Sequence, residues 1–187
     1  MVDEPDDAPQ EDGRTHRMGA LLRRVGRAYD PRGEHKVGGH AGAVVAFGAY
    51  AAAWGAVLGR RKVKLPARCG PGDIVLTAAA VFRLSRLLSK GSVTSPLRAP
   101  FTRYEEASGP AEVHESPRGG AVRSTVGELV TCPFCLSVWL TTTFTGARLL
   151  WPDATRAVTG GLTALALSDT MQLGYDCLLQ HNQHNKE

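Results

Sequence analysis

The residues best suited to chemistry are the two cysteines of Thr131-Cys132-Pro133-Phe134-Cys135. Thiols three positions apart lie on one face of a helix, so the two side chains can act together. Thr131 can cap the start of that helix, and proline is favoured in a first helical turn. A thiol pair at a helix N-terminus suits redox exchange or the binding of a soft metal ion.

The surrounding sequence leaves the role of this pair open. The stretch from Cys132 to Cys135 is similar to the redox motif of glutaredoxins, but no strand precedes it and no βαβ pattern surrounds it. Zinc usually takes four ligands, and Cys177, His181 and His184 lie on the same predicted side at the end of the last helical segment. Both cysteines can also pack as small apolar residues. No cofactor is expected, and zinc is the metal that an occupied site would hold.

Charged residues interrupt otherwise apolar segments, among them Arg83 and Arg86 in one segment and Asp169 in another. Charged groups at membrane depth are costly and are usually paired or functional. We therefore expect Asp169 to pair with Arg83 or Arg86 inside a helix bundle, and we favour a structural pair over a catalytic one. Because no P-loop, GxGxxG, HExxH or GxSxG motif occurs, an enzyme is not expected.

The elements that must position these side chains are apolar helices. Two windows, Val37–Gly59 and Leu129–Ala147, contain no formal charge and are 23 and 19 residues long. A helix of about 20 apolar residues crosses a bilayer, whereas a helix of a soluble protein normally keeps a charged face. The predicted fold class is all-α, a helical integral membrane protein with three or four transmembrane helices.

Composition divides the chain into four parts. Residues 1–40 combine an acidic tail, predicted to be disordered, with a basic amphipathic helix. An N-terminal transmembrane helix is predicted over residues 41–59. The other two parts are a helical membrane domain over residues 73–179 and a polar tail over residues 180–187.

The membrane domain contains apolar segments at residues 73–88, 129–150 and 157–179, with a loop at residues 89–126 that has no sustained periodicity. We expect this loop to be cytosolic. The residues that it should present beside the cysteine pair are Arg98, Phe101 and Arg103, whereas Glu112, His114 and Glu115 should face solvent.

Two topologies compete. With four spans, the side that holds the N-terminus, the central loop and the C-terminus carries 13 Lys and Arg against 7 on the other side. With three spans, the segment at residues 73–88 stays at the surface and the count is 13 against 9. The positive-inside rule favours four spans. Both topologies place the central loop and the C-terminus in the cytosol.

Three blocks of sequence resemble one family. They are Val81-Phe82-Arg83-Leu84-Ser85-Arg86-Leu87-Leu88, then Val93-Thr94-Ser95-Pro96-Leu97-Arg98-Ala99-Pro100-Phe101, then Gly127-Glu128-Leu129-Val130-Thr131-Cys132-Pro133-Phe134-Cys135 with Trp139. In order and spacing they resemble the bacterial "domain of unknown function 1360" family over about residues 73–178. The resemblance implies a small multi-span protein of the bacterial plasma membrane with no established activity, and it supplies no catalytic residues.

These observations favour a non-catalytic membrane interaction or scaffold protein. The alternative is a thiol redox or metal-binding site at the cytosolic membrane face. The expected partners are the lipid bilayer and other membrane proteins or further copies of the chain. Nucleic acid is not an expected partner, because no nucleic-acid-binding motif accompanies the basic residues, which instead lie beside apolar segments.

The two charge-free windows predict that the protein stays in the membrane fraction after carbonate extraction. The physical reason is that a helix of this length and composition loses hydrophobic stabilisation when it leaves the bilayer. Immunoblotting of the pellet and supernatant measures this, and recovery in the supernatant without detergent contradicts the membrane prediction.

Overall fold

The structure, a computed structural model, describes residues 37–65 and 70–184 together with the single residues Ala20 and Arg24. The predicted acidic tail and nearly all of the predicted amphipathic helix, as well as Cys69, lie outside the described residues. The chain divides after Ala46 into two units, and each tertiary contact given below lies within the second unit, Phe47–Glu187.

The described chain is mostly helical, which confirms the helical class. Every predicted apolar segment lies in helical structure. Within residues 37–65 and 70–184, the helices are α1 (Val37–Arg60), α2 (Pro71–Lys90), α3 (Ser95–Arg98), α4 (Ala121–Thr131), α5 (Pro133–Leu150) and α6 (Pro152–His184), with a 3-10 turn at Ser92–Thr94. Helices α2 and α6 begin at Pro71 and Pro152, where proline lacks only an N–H that would be unpaired in any case.

The central loop was predicted to lack regular structure, and this is wrong. Strands β1 (Thr102–Gly109) and β2 (Glu112–Pro117) form an antiparallel hairpin in which Thr102 pairs with Pro117. The connection turns at Pro110 and at Ala111, whose φ of 58° gives the left-handed conformation of a tight turn. The strictly all-α class therefore omitted a small sheet.

The predicted segment at residues 129–150 is two helices. Pro133 has no N–H to donate and its ring disfavours helical backbone at the residue before it, so Cys132 is extended (φ −98°, ψ 108°). Cys132, and not Thr131 as predicted, caps the second helix. The axes of α4 and α5 consequently meet at a bend of 79°.

The long helices alternate in direction. Thr163 of α6 donates a hydrogen bond to the Leu76 carbonyl of α2 (3.1 Å), so these two helices lie side by side. On α5, the indole of Trp139 lies 5.2 Å from the ring of Tyr50, whose hydroxyl is 2.7 Å from the Thr143 hydroxyl. One turn further along both helices, the ring of Trp54 packs directly on Gly146, which shows that α1 and α5 run in parallel.

Few apolar side chains are buried. Among the described residues, the buried apolar side chains are Ala80, Val81 and Phe144. By length and composition, one described helix, Gly38–Arg60, could cross a membrane, and the bent pair α4–α5 could form a second such element. None of the most apolar window of Gly38–Arg60 is buried inside the protein, so its surface is available to an apolar environment.

Gly127→Ala is expected to destabilise the junction between α4 and the hairpin. A methyl group at this position would lie 2.8 Å from the Phe101 carbonyl oxygen and 2.9 Å from Pro117 Cβ, so the backbone must move apart. Overpacking of this kind costs about 1–3 kcal/mol. Thermal unfolding in detergent measures the change, and Gly119→Ala, which meets no atom within 4 Å, is the matched control. Equal melting temperatures for the two variants would show that the close approach is unimportant.

Candidate functional site

The hairpin lies against the helices through its inner strand, β2. Glu112 of β2 forms a bridge with Gly91 at the end of α2, and the Ser92 N–H donates to the Ala111 carbonyl (2.9 Å). At the other end of the strand, Pro117 contacts the position of Gly127 in α4. The outer strand β1 is exposed at every residue except Thr102.

A buried arginine fixes the hairpin to the helices. Arg98, in α3, is 2% exposed, and its Nε and Nη2 donate to the two carboxylate oxygens of Glu115 at 2.8 and 3.1 Å. Its remaining N–H groups donate to the carbonyls of Leu88 and Gly91 and to the Thr94 hydroxyl, at 2.6–3.0 Å. All five guanidinium donors are therefore used. We call Arg98, Glu115 and Thr102 the hairpin clamp.

Glu115 is held as a carboxylate within this clamp. Thr102 completes its hydrogen bonding through a 2.9 Å bond to Oε2. Burial raises the pKa of the Glu115 carboxyl, but the hydrogen bonds from Arg98 and Thr102 and the charges of Arg98 and Lys90 outweigh burial, so the pKa lies below its usual value. The ion pair is thus stable at neutral pH.

The clamp corrects two expectations about the loop. Arg98 was expected to be presented to a partner and Glu115 to face solvent, yet both side chains are buried, at 3% and 5% exposure. They are buried because each neutralises the other and because backbone carbonyls occupy the remaining donors of the arginine. Phe101 is half-buried, whereas Arg103 and His114 are exposed.

The two arginines of α2 have different carboxylate partners. Arg83 Nε lies 2.7 Å from Asp169 Oδ2 of α6, an ion pair that lacks hydrogen-bond alignment. Arg86 instead makes a bidentate contact with Glu112 of the hairpin, with its Nη2 at 2.6 and 2.9 Å from the two carboxylate oxygens. Arg83 therefore joins α2 to α6, and Arg86, one helical turn later, joins α2 to the hairpin.

A third charge cluster lies at the opposite end of the helices. Asp73, in the first turn of α2, forms ion pairs with Arg148 of α5 and with Arg156 of α6, the latter at 3.3 Å. One carboxylate thus joins three helices. Both guanidinium groups contact the same carboxylate.

The cysteine pair occupies the bend between α4 and α5. The Cys135 N–H lies 3.3 Å from the Cys132 sulfur, which therefore serves as the helix cap. Both thiols are free and half-buried, and the free thiol of Cys177 is exposed on α6. Within the described residues, no group of three or more His, Cys, Asp or Glu side chains is placed to hold a metal ion.

Sequence reasoning missed the carboxylates that the hairpin contributes, Glu112 and Glu115. A local signal existed, because Gly109-Pro110 is a turn signature flanked by Thr102, Tyr104 and Val113, residue types that favour strands. Asp73 was also overlooked, since its partners are 75 and 83 positions away in the chain. No sequence spacing encodes contacts at that separation.

The blocks that carry the family resemblance contain the residues of these contacts: Arg83 and Arg86, then Thr94 and Arg98, then Gly127. The family model described as "Protein of unknown function (DUF1360)" matches residues 76–175, more than half of the chain. This chain belongs to that family. The sequence-based assignment is therefore confirmed.

One curated relative is similar to part of the chain. It is the sporulation protein YjcA of Bacillus subtilis (strain 168), which is 42% identical over 69 residues. The match covers 35% of this chain and 58% of the relative, less than two thirds of its length. No solved structure matches the chain at a significant level.

Glu115→Gln is expected to lower the free energy of unfolding of the hairpin junction by about 3–5 kcal/mol at neutral pH, because Arg98 loses its buried counter-charge. The pKa of Glu115 is lower in the folded protein than its usual value of 4.5. The stabilisation is therefore present above that value and is lost as pH falls through the folded pKa.

Thermal unfolding of the parent and Glu115→Gln between pH 7 and pH 3 tests this prediction. The difference between the two proteins should narrow below pH 4.5, the usual value for this carboxyl. Glu105→Gln, on the exposed strand β1, is the matched control. A parent and variant that differ equally at every pH contradict the assignment of the stabilisation to the Glu115 carboxylate.

Proposed function

We propose that this member of the family is a four-span protein of the bacterial plasma membrane that presents its hairpin in the cytosol as a rigid docking surface for another protein. The observation that carries the proposal is the combination of exposed apolar helices with a hairpin fixed by a buried ion pair. Burying Arg98 and Glu115 to hold a hairpin is useful where the surface of that hairpin must keep its shape.

Exposure supports the membrane location. Val44 and Val45 of α1 are 70% and 72% exposed, and Met171 of α6 is 74% exposed. Large apolar side chains that are exposed to this extent are unfavourable in water and favourable against lipid. Helix direction supports four spans, because α1, α2, α5 and α6 alternate in direction and would place the hairpin and the C-terminal end of α6 on one side.

The docking surface is the outer strand. Arg103, Tyr104, Glu105 and Glu106 are all exposed on β1, and they combine three charged side chains with one aromatic ring. Tyr104 is 60% exposed, and tyrosine is enriched where proteins bind one another. The two register irregularities of β1, which follow Tyr104 and Ala107, interrupt its edge and disfavour simple strand addition. Recognition would therefore use these side chains.

The name of the relative, sporulation protein YjcA, refers to a cellular process and states no biochemical activity. If this chain shares that process, the docking partner would belong to a membrane-associated step of sporulation. The support for this assignment is the sequence match, which covers 58% of the length of the relative.

The docking surface is tested by replacing Arg103, Glu105 and Glu106 together by alanine. These side chains are exposed, so we expect normal accumulation and an unchanged melting temperature, with loss of complementation in a strain that lacks the gene. The matched control replaces Asp176, Gln180 and Asn182, exposed residues of α6, and should complement. Full activity of the triple β1 variant contradicts the proposed surface.

The topology has its own measurement. In a cysteine-free parent, Ser108→Cys in the hairpin should be protected from a membrane-impermeant maleimide in intact cells and labelled after lysis. Lys64→Cys, between α1 and α2, should be labelled in intact cells. The reverse pattern would place the hairpin outside the cytosol.

A thiol or metal site at Cys132 and Cys135 is the second candidate. It is supported by the position of both free sulfurs at one helix start. Zinc content of the purified protein, compared with that of Cys132→Ser, separates it from the docking proposal. Stoichiometric zinc that disappears in the variant favours the metal site, and equal low content in both favours docking alone.

A further inference from the structure

An open cleft with a volume of about 890 Å³ lies between helices α2 and α5. This volume falls in the range of about 300–1,000 Å³ that is usual for ligand pockets. The cleft follows α2 from Gly70 to Arg86, which corresponds to about 24 Å of helix. A cleft of this length in a membrane-embedded bundle would run across most of the hydrocarbon layer, which is about 30 Å thick.

The walls of the cleft are apolar. Ile74, Phe82, Phe134, Phe144 and Leu149 are among the residues that line it. Ile74 is 58% exposed, Phe82 59% and Phe134 83%. Such side chains are stabilised only if an apolar molecule covers them.

Four of the five hydroxyl groups that line the cleft donate hydrogen bonds within the protein, and Ser137 is one of them, through its 2.7 Å bond to the Phe134 carbonyl. Thr77 donates to the Asp73 carbonyl (2.7 Å), Ser85 to that of Phe82 (3.0 Å), and Thr141 to that of Ser137 (2.7 Å). These walls therefore do not require a ligand that offers hydrogen-bond acceptors. An occupant without polar groups, such as an acyl chain, fits them best.

One end of the cleft holds two guanidinium groups around a single carboxylate. Asp73 and Arg148 line that end, and Arg156 adds a second guanidinium to the same carboxylate. The side chain of Arg156 is 62% exposed, so it can reach a second anion without breaking the cluster apart. The other lining arginine, Arg86, is already neutralised by Glu112. The exposed guanidinium of Arg156 therefore makes the Asp73 end the place where the cleft can contact an added anion.

We propose that this cleft binds an anionic glycerophospholipid, with an acyl chain between α2 and α5 and the phosphate beside Arg148 and Arg156. The proposal rests on the membrane location given under Proposed function and adds a ligand to it. The bound lipid would fill the gap between two helices and join them. It would also couple the helix bundle to the composition of the leaflet in which Arg156 lies.

The test is native mass spectrometry of the full-length protein released from mixed micelles that contain phosphatidylglycerol or phosphatidylcholine. We expect phosphatidylglycerol to be retained preferentially. Arg156→Gln should reduce this preference about fivefold, the effect of removing about one arginine contact with an anionic lipid. Equal retention of the two lipids by the parent protein overturns the proposal.

A second pair of variants locates the bound lipid. Ala78→Phe fills the cleft, since Ala78 lines it, and should reduce retention of both lipids. Ala164→Phe, at an exposed position of α6, is the matched control and should retain them. Unchanged retention by Ala78→Phe overturns the location.

The remaining outcome is a second copy of the chain in the cleft. It would appear as a dimer mass that Ala78→Phe converts to a monomer, and this result also overturns the lipid proposal. Failure of the membrane location itself is distinguishable, because the protein would then leave the membrane fraction on carbonate treatment before any lipid is measured.

Discussion

The contact on which the described structure most depends is the ion pair between Arg98 and Glu115. Taking two charges out of water costs several kcal/mol for each ion. The structure offsets this cost because every donor of the guanidinium has an acceptor and because Thr102 also donates to the carboxylate. The pair joins the end of α2, the 3-10 turn, α3 and the hairpin into one rigid unit.

The rest of the bundle is held by further pairs of the same kind and by very little apolar core. Arg83 joins α2 to α6, Arg86 joins α2 to the hairpin, and Asp73 joins three helices at the other end. In the proposed membrane location, the helices would gain little by burying apolar side chains against each other, because lipid is equally apolar. Ion pairs, hydroxyl contacts and close packing such as Trp54 on Gly146 then determine the arrangement.

This organisation separates two surfaces with different chemistry. The helices expose apolar side chains along their length, whereas the outer strand β1 exposes charged residues and Tyr104 at one end. The hairpin clamp lies between them and transmits the position of α2 to β1 without flexible linkage. A change in the packing of α2, for example at the cleft beside α5, would therefore move the hairpin as a body.

The sequence by itself determined the helical class and the family. It also led to the expectation that Asp169 pairs with an arginine of α2. The charge-free windows and the three blocks that resemble the family are continuous stretches of sequence, so they can be recognised without knowledge of any tertiary contact. The axial position of Arg83 and Asp169 could also be estimated, because helices have a fixed rise per residue.

Only the tertiary structure decided the partners of Arg86, Arg98 and Asp73. Arg98 and Glu115 are 17 positions apart and are separated by an irregular turn and a strand, so no helical or strand period brings them together. The hairpin itself is short and charged, and its outer strand faces away from the helices, so it lacks the alternation of apolar residues that identifies a strand. The turn signature at Gly109-Pro110 indicates a hairpin, but the burial of Glu115 in its inner strand depends on Arg98, and that contact is a property of the folded chain.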